Sequence, residues 1–377
     1  VPYVVVCPIY YFIYKKIRDS GTYTVPQIIG DRYGPTARFL GSVINLIGLA
    51  GIISYQYRGL AFVLNITTGV SIETATIMSA AVVIAIAMFG GLFSVAYTDA
   101  FGAFVIVICC ILGIPFALSA GGGWENITST IAATAPEKLT FSGGRNWYTI
   151  IGGYLPLIIL LLGDQNFYQR ISAAKNDNVA KISTMGWMVL TCAAIPGVGL
   201  IAFTGSAVFG SNIQAGMAFM SMTTIVPLFI GGMLLAAASA FIVTTGTSYL
   251  LSSATSITYD FYTRYFNHNP SDKQTLFVTR YATPVVGVLA YVILQYFPSI
   301  LAVQSWSYTM IGASLTPPVL GALLSKKVTP MAGLLSMIVG ALGTLGWELA
   351  GKPGGVASAL IAFPAAVIVL VVVSMFT

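Results

Sequence analysis

The stretch SAFIVTTGTSYLLSSATSITYDFY, residues 239–262, lies inside a long apolar run, yet ten of its 24 residues are Ser or Thr. Hydroxyl oxygens suit a hard cation such as Na⁺, by the logic that gives Ca²⁺ and Mg²⁺ their oxygen ligands. Thr244 and Thr245 are adjacent, and Ser248 follows Thr244 by one helical turn on the same face. With a free backbone carbonyl, two or three such hydroxyls can hold a monovalent ion without a carboxylate. The same residues have a plainer use. Ser and Thr bond back to the i−4 carbonyl, and small residues let membrane helices pack closely.

Charges inside apolar runs are the second signal, because a charge in lipid is costly. Asp99 sits in GGLFSVAYTDAF, Asp164 in LLGDQNFYQR and Arg58 in SYQYRGLAF. Each either lines a polar pathway or serves structure, Asp99 as part of a helix cap beside Thr98 and Asp164 as a partner of Arg170. Gly152, Gly153 and Pro156 in GGYLPLIILLLG either break a helix in mid-membrane or kink it. No catalytic constellation is present. His268 is the only histidine, and no carboxylate pair has metal-ligand spacing. A phosphate loop of the GxxxxGK[ST] type is also missing. Neither an enzyme nor an organic cofactor is expected.

The elements that must position these residues follow from composition. The chain is 57% hydrophobic and 7% charged, against roughly a quarter charged in soluble domains. Eleven apolar spans are predicted, near 1–16, 38–65, 72–93, 97–119, 148–168, 183–208, 222–258, 278–297, 300–324, 328–349 and 356–376. Stretches of about 20 residues span a bilayer as helices, so the chain reads as an all-α multi-pass membrane protein. The span at 222–258 is too long for a plain crossing and must tilt or project.

A net charge of +6 would suggest nucleic acid in a soluble protein. Here the basic residues lie in short loops, so they set topology and no nucleic-acid partner is expected. Thirteen of the 17 basic residues fall on one side, among them Lys15, Lys16, Arg18, Arg38, Arg170 and Arg264. That puts the start of the chain outside and its end inside the plasma membrane. Cys7, Cys109, Cys110 and Cys192 lie in apolar segments without metal spacing and read as packing residues. Val1 replaces the usual Met, and VPYVVVCPIYYFIY precedes KKIR, the reverse of a signal peptide. The expectation is a piece of a longer protein.

Four strings, TYTVPQIIGDRYG (22–34), GGLFSVAYTDAF (90–101), FYQRISAAKN (167–176) and NPSDKQTLFVTR (269–280), occur in one order along the chain. Together they resemble the sodium:solute symporter family, whose members carry proline, sugars, pantothenate and choline. The resemblance implies a leucine-transporter-type fold of two inverted five-helix repeats. Residues 1–119 would complete the first repeat, 148–324 form the second and 325–377 lie at the periphery. It implies Na⁺ as coupling ion, held by the hydroxyls of Thr244 and Thr245 and the carbonyl of Phe241, with Ser248 beside them.

By the same resemblance Asp99 lies on the inner sodium path. Gln165, Tyr154, Trp306 and Arg58 are expected near the solute. The YTDAF and NPSDK strings lean towards the choline-like branch. The family's broken first core helix, which supplies further sodium carbonyls, lies upstream of the segment where this sequence begins. The implied function is sodium-coupled import of a small polar solute by alternating access. A proton-coupled permease of similar fold and a transporter-like sensory module are the alternatives.

Overall fold

A computed structural model describes residues 2–210, 213 and 216–377; the side chains of Leu92, Phe93 and Ser94 lie outside the description, as does Val1 at the head of the first expected span. The chain runs α1 (Pro2–Asp19), α2 (Val25–Tyr33), α3 (Pro35–Thr68), α4 (Ile72–Ala120), α5 (Trp124–Thr134), α6 (Trp147–Gly163) and α7 (Gln165–Ala173). It continues with α8 (Asp177–Phe209), α9 (Ala218–Met222), α10 (Leu228–Ser256), α11 (Asp272–Leu294), α12 (Ile300–Leu324), α13 (Pro330–Leu349) and α14 (Ala359–Phe376). No strand occurs among the described residues.

Among the described residues, nine helical segments are long and apolar enough to cross a membrane. The other two expected spans, 1–16 and 300–324, are helical as well but are not among the nine: α1, whose last turns carry Lys15, Lys16, Arg18 and Asp19, and α12, which is dotted with Ser, Thr and Pro. The separation of the third and fourth spans is made by Gly91. Its φ of 64° and ψ of −178° lie in a region that only glycine adopts without strain, so α4 is two limbs, Ile72–Gly91 and Val95–Ala120.

The overlong span is also present. Its helix starts at Leu228, after Pro227, and α10 continues as a π-helical stretch, Ile257–Phe266, to give 39 residues in all. The helix between Trp124 and Thr134 was not expected; the sequence there reads as a loop.

Helices α3 and α12 form the centre and are buried on nearly every face. They approach closely because α3 offers glycine where they touch. A Cβ on Gly51 would stand 2.1 Å from the Ser307 hydroxyl, and one on Gly48 would stand 2.3 Å from Ile311. Around this pair pack α1, α2, α10 and α11. A second apolar cluster joins the second limb of α4 to α8 and the first turns of α10, through Cys109, Ile201 and Leu234.

Candidate functional site

The hydroxyls of α10, Thr244 and Thr245 apart, divide into two sets. One set serves the helix itself: Ser239, Thr247, Ser253 and Thr255 each bond the carbonyl four residues earlier, at 2.8–3.0 Å. The other set is Ser248, Ser252 and Ser256, spaced by four and therefore on one stripe. Ser252 donates to Gln169 Oε1 at 2.8 Å and Ser256 to Gln165 Oε1 at 3.0 Å. Ser248 donates to Asp99 Oδ2 at 3.1 Å and accepts from Arg170 Nη2 at 2.8 Å. The stripe thus docks the short helix α7 against α10.

Thr244 and Thr245 form a third arrangement. Both hydroxyls converge on the carbonyl of Phe241, at 3.1 and 2.7 Å, Thr245 by the same bond to the carbonyl four residues earlier that the first set makes. The three oxygens expected to hold Na⁺ therefore share one turn of α10. That turn is half open, and the Phe241 ring is 56% exposed. Gly102 of α4 approaches the Thr244 methyl, which sets the second limb of α4 beside this turn.

One turn further on, Asp99 meets Ser248 and forms an ion pair with Arg170. Asp99 Oδ1 is buried and has no hydrogen-bond partner among the described residues. Asp99 is not a helix cap, because it stands inside the second limb of α4. Its approach to Ser248 joins two residues that the sequence reading kept in separate roles, ion ligand and ion path.

The helix break is real but falls later than Gly152, Gly153 and Pro156, which lie within α6. It falls at Asp164, whose φ of −74° and ψ of 111° end α6 and start α7. Asp164 caps α7 by accepting from the Asn166 amide at 3.0 Å and takes a second bond from the Tyr249 hydroxyl at 2.8 Å. Its partner is therefore Tyr249 and not Arg170. Gly163 is needed at the break, since a Cβ there would lie 2.4 Å from the Thr316 hydroxyl.

Gln165 follows the break and is fully buried. Its carboxamide oxygen accepts from Asn45 Nδ2 at 2.8 Å and Ser256 at 3.0 Å, and its nitrogen donates to the Ser252 carbonyl at 2.7 Å. It knits α3, α7 and α10 together. Trp306 is buried between Phe297, with ring centroids 5.1 Å apart, and Gly51. Tyr154 is half exposed on α6, apart from both.

Arg58 stands on α3 next to Gly59, which packs on Ile242. It is therefore level with the Phe241–Thr245 turn. Its Nε is buried and makes no hydrogen bond among the described residues. One turn earlier on α3, the Tyr55 hydroxyl meets that of Tyr308 at 2.8 Å, and Tyr308 also accepts from Gln304.

Sequence reasoning missed the buried pair at the basic end of α10. Asp260 Oδ1 accepts from Arg38 Nε at 3.1 Å, from Arg38 Nη2 at 3.0 Å and from the Thr24 hydroxyl at 2.9 Å. An acid inside the apolar run was the available signal; Arg38 had been read only as a topology marker.

Broken and overlong helices around a buried polar seam define a secondary transporter fold. The chain belongs to the sodium:solute symporter family, whose family model matches residues 2–340. It is 27% identical to the sodium/proline symporter of Haemophilus influenzae over 357 residues, 89% of this chain and 70% of that protein. It is 27% identical to the high-affinity proline transporter PutP of Bacillus subtilis, over 96% of this chain and 78% of that one. High-affinity choline transporter 1 of Drosophila melanogaster is also 27% identical, over 88% of this chain and 55% of its own length. A solved Na⁺-coupled sialic acid symporter, in a substrate-bound outward-open state, superposes with a TM-score of 0.79 at 17% identity and covers 100% of this chain and 82% of that one. The fold is thus the leucine-transporter-type inverted repeat that the resemblance implied.

Proposed function

We propose that this protein imports a small carboxylate-bearing solute of the amino-acid kind, drawn in by Na⁺. Arg58 carries the reading. It is a guanidinium level with the hydroxyl turn, with a buried Nε that makes no hydrogen bond among the described residues. A guanidinium with a desolvated donor gains most from a carboxylate, which it can grip with two parallel bonds. The same charge repels a quaternary amine, which argues against choline despite the YTDAF and NPSDK strings. Sodium/proline symporters among the relatives support the same solute class.

Na⁺ takes the Phe241 carbonyl and the Thr244 and Thr245 hydroxyls, and passes towards Ser248 and Asp99. Each charge moved inward contributes about 2.3 kcal/mol per 100 mV of membrane potential. Residues 1–119 complete the first repeat, 148–324 make the second and 325–377 are peripheral; the basic ends of α7 and α10 face the cytoplasm, by the positive-inside rule.

The test is uptake of labelled L-proline into proteoliposomes under an imposed Na⁺ gradient. Uptake is expected to need Na⁺ and to resist competition by choline. Arg58→Gln is expected to raise the solute concentration for half-maximal uptake about tenfold, the equivalent of about 1.4 kcal/mol. An unchanged half-saturation in Arg58→Gln, or uptake of choline alone, would overturn the carboxylate reading.

A further inference from the structure

A cavity of about 560 Å³ opens at the basic ends of α3 and α10, lined by Gln27, Arg38, Tyr259, Thr263, Arg264 and His268 among others. It belongs neither to the hydroxyl turn nor to the surroundings of Arg58. Its lining carries N–H and O–H groups and no carboxylate. Two acids lie near it: Asp272, whose charge reaches Tyr259, and Asp260, whose side chain is fully buried, with Oδ1 taken by Arg38 and Thr24 and Oδ2 without a hydrogen-bond partner among the described residues.

Several donors that face the cavity are uncommitted, although the Thr263 hydroxyl is given to the Tyr259 carbonyl at 2.9 Å. Arg264 and His268 make no hydrogen bond or ion pair among the described residues, and Arg38 spends Nε and Nη2 on Asp260 and Tyr259 but not Nη1. Gln27 uses its amide oxygen to cap α2, accepting from the Tyr23 and Thr24 amides at 2.7 and 3.1 Å, which leaves its NH₂ free. The Arg38 side chain is held in place across Gly30, where a Cβ would stand 2.8 Å from it. Tyr259 is fixed by stacking on Tyr23, with centroids 4.6 Å apart. Such a preset cluster of guanidinium, imidazole and amide donors matches a tetrahedral oxyanion.

Its position suggests where the anion comes from. The cavity sits at the ends of two spans, Pro35–Thr68 and Leu228–Phe266. Exposed aromatic rings flank it: Phe39, Tyr265 and Phe266. Aromatic rings beside basic side chains at a span's end are what a phospholipid meets at the headgroup level.

We infer that this cavity binds a phosphate-bearing group, supplied by the headgroup of an anionic phospholipid, and that the bound group clamps the α2–α3 corner to the π-helical end of α10. The shared chemistry is a phosphate monoester or diester held by Arg38, Arg264 and His268.

The full protein, delipidated in neutral detergent, is titrated in separate arms with phosphatidylglycerol, phosphatidylcholine and inorganic phosphate. Native mass spectrometry follows the lipids and calorimetry the phosphate. Phosphatidylglycerol is expected to bind in preference to phosphatidylcholine, and Arg264→Gln to weaken it about fivefold. Lys352→Gln, whose lysine pairs with Glu348 outside the cavity lining, is expected to leave binding unchanged. Binding of inorganic phosphate that Arg264→Gln weakens, without a lipid preference, supports the same site with a soluble source. The inference is overturned if Arg264→Gln binds all three as the unaltered protein does, or if neither anion binds. Because Arg264 holds no other side chain, an unchanged Tm shows that the variant is folded.

Discussion

Asp99, Arg170 and Ser248 form the part of the site where single atoms decide the chemistry. One carboxylate oxygen takes both the guanidinium and the hydroxyl, and the other is buried without a partner among the described residues. On the proposed ion path, a guanidinium and a passing Na⁺ would compete for such a carboxylate. Asp99→Asn is therefore expected to raise the Na⁺ concentration for half-maximal uptake about tenfold, the equivalent of about 1.4 kcal/mol. Arg170→Gln is expected to change it too, and the double variant to differ from the sum, because the two share one interaction. Additive effects would show that the pair is incidental to the ion path. Persistence of sodium-driven uptake in Asp99→Asn, with no added proton dependence, also separates sodium coupling from proton coupling.

Asp99 was legible in the sequence as an acid in an apolar run. Its partners were not. Arg170 lies 71 residues away and Ser248 lies 149 away, and no local pattern names contacts at that range. Arg38 and Asp260 were hidden for the same reason, at a separation of 222.

At the scale of helices, the sequence announced the membrane spans, the overlong α10 and a broken helix. It misplaced the break because Gly and Pro are the conspicuous breakers, whereas the chain turns at Asp164, where a buried cap and Tyr249 hold the new helix start. The Ser248–Ser252–Ser256 stripe was available as a spacing of four, but ten hydroxyls in one stretch masked it. The stripe docks α7, so its loss has a distinct signature. Ser252→Ala with Ser256→Ala leaves Gln169 and Gln165 each short of one bond, at about 0.5–1.5 kcal/mol apiece. The detergent-solubilised protein is then expected to melt a few degrees lower. Thr255→Ala, whose hydroxyl bonds only the Leu251 carbonyl, is expected to leave Tm within a degree or so of the parent. Equal effects from both would show that the stripe does not dock α7.

For the whole molecule, transport requires that ion and solute sites sit where helices are free to rearrange. α3 and α12 are closely packed through Gly48 and Gly51 and form the fixed centre. Among the described residues, α7, the hydroxyl face of α10 and the second limb of α4 meet through side-chain hydrogen bonds and one ion pair. Polar seams of that kind can open and close at small cost, which a packed apolar core cannot. The central claim is that the Phe241–Thr245 turn holds the coupling ion. It is tested most directly by measuring the Na⁺ dependence of solute uptake in proteoliposomes bearing Thr244→Ala with Thr245→Ala, beside Thr244→Ser with Thr245→Ser. Loss of the Na⁺-dependent component in the alanine pair, and its survival in the serine pair, is the predicted result. An alanine pair whose uptake keeps the parent's Na⁺ dependence would contradict the account.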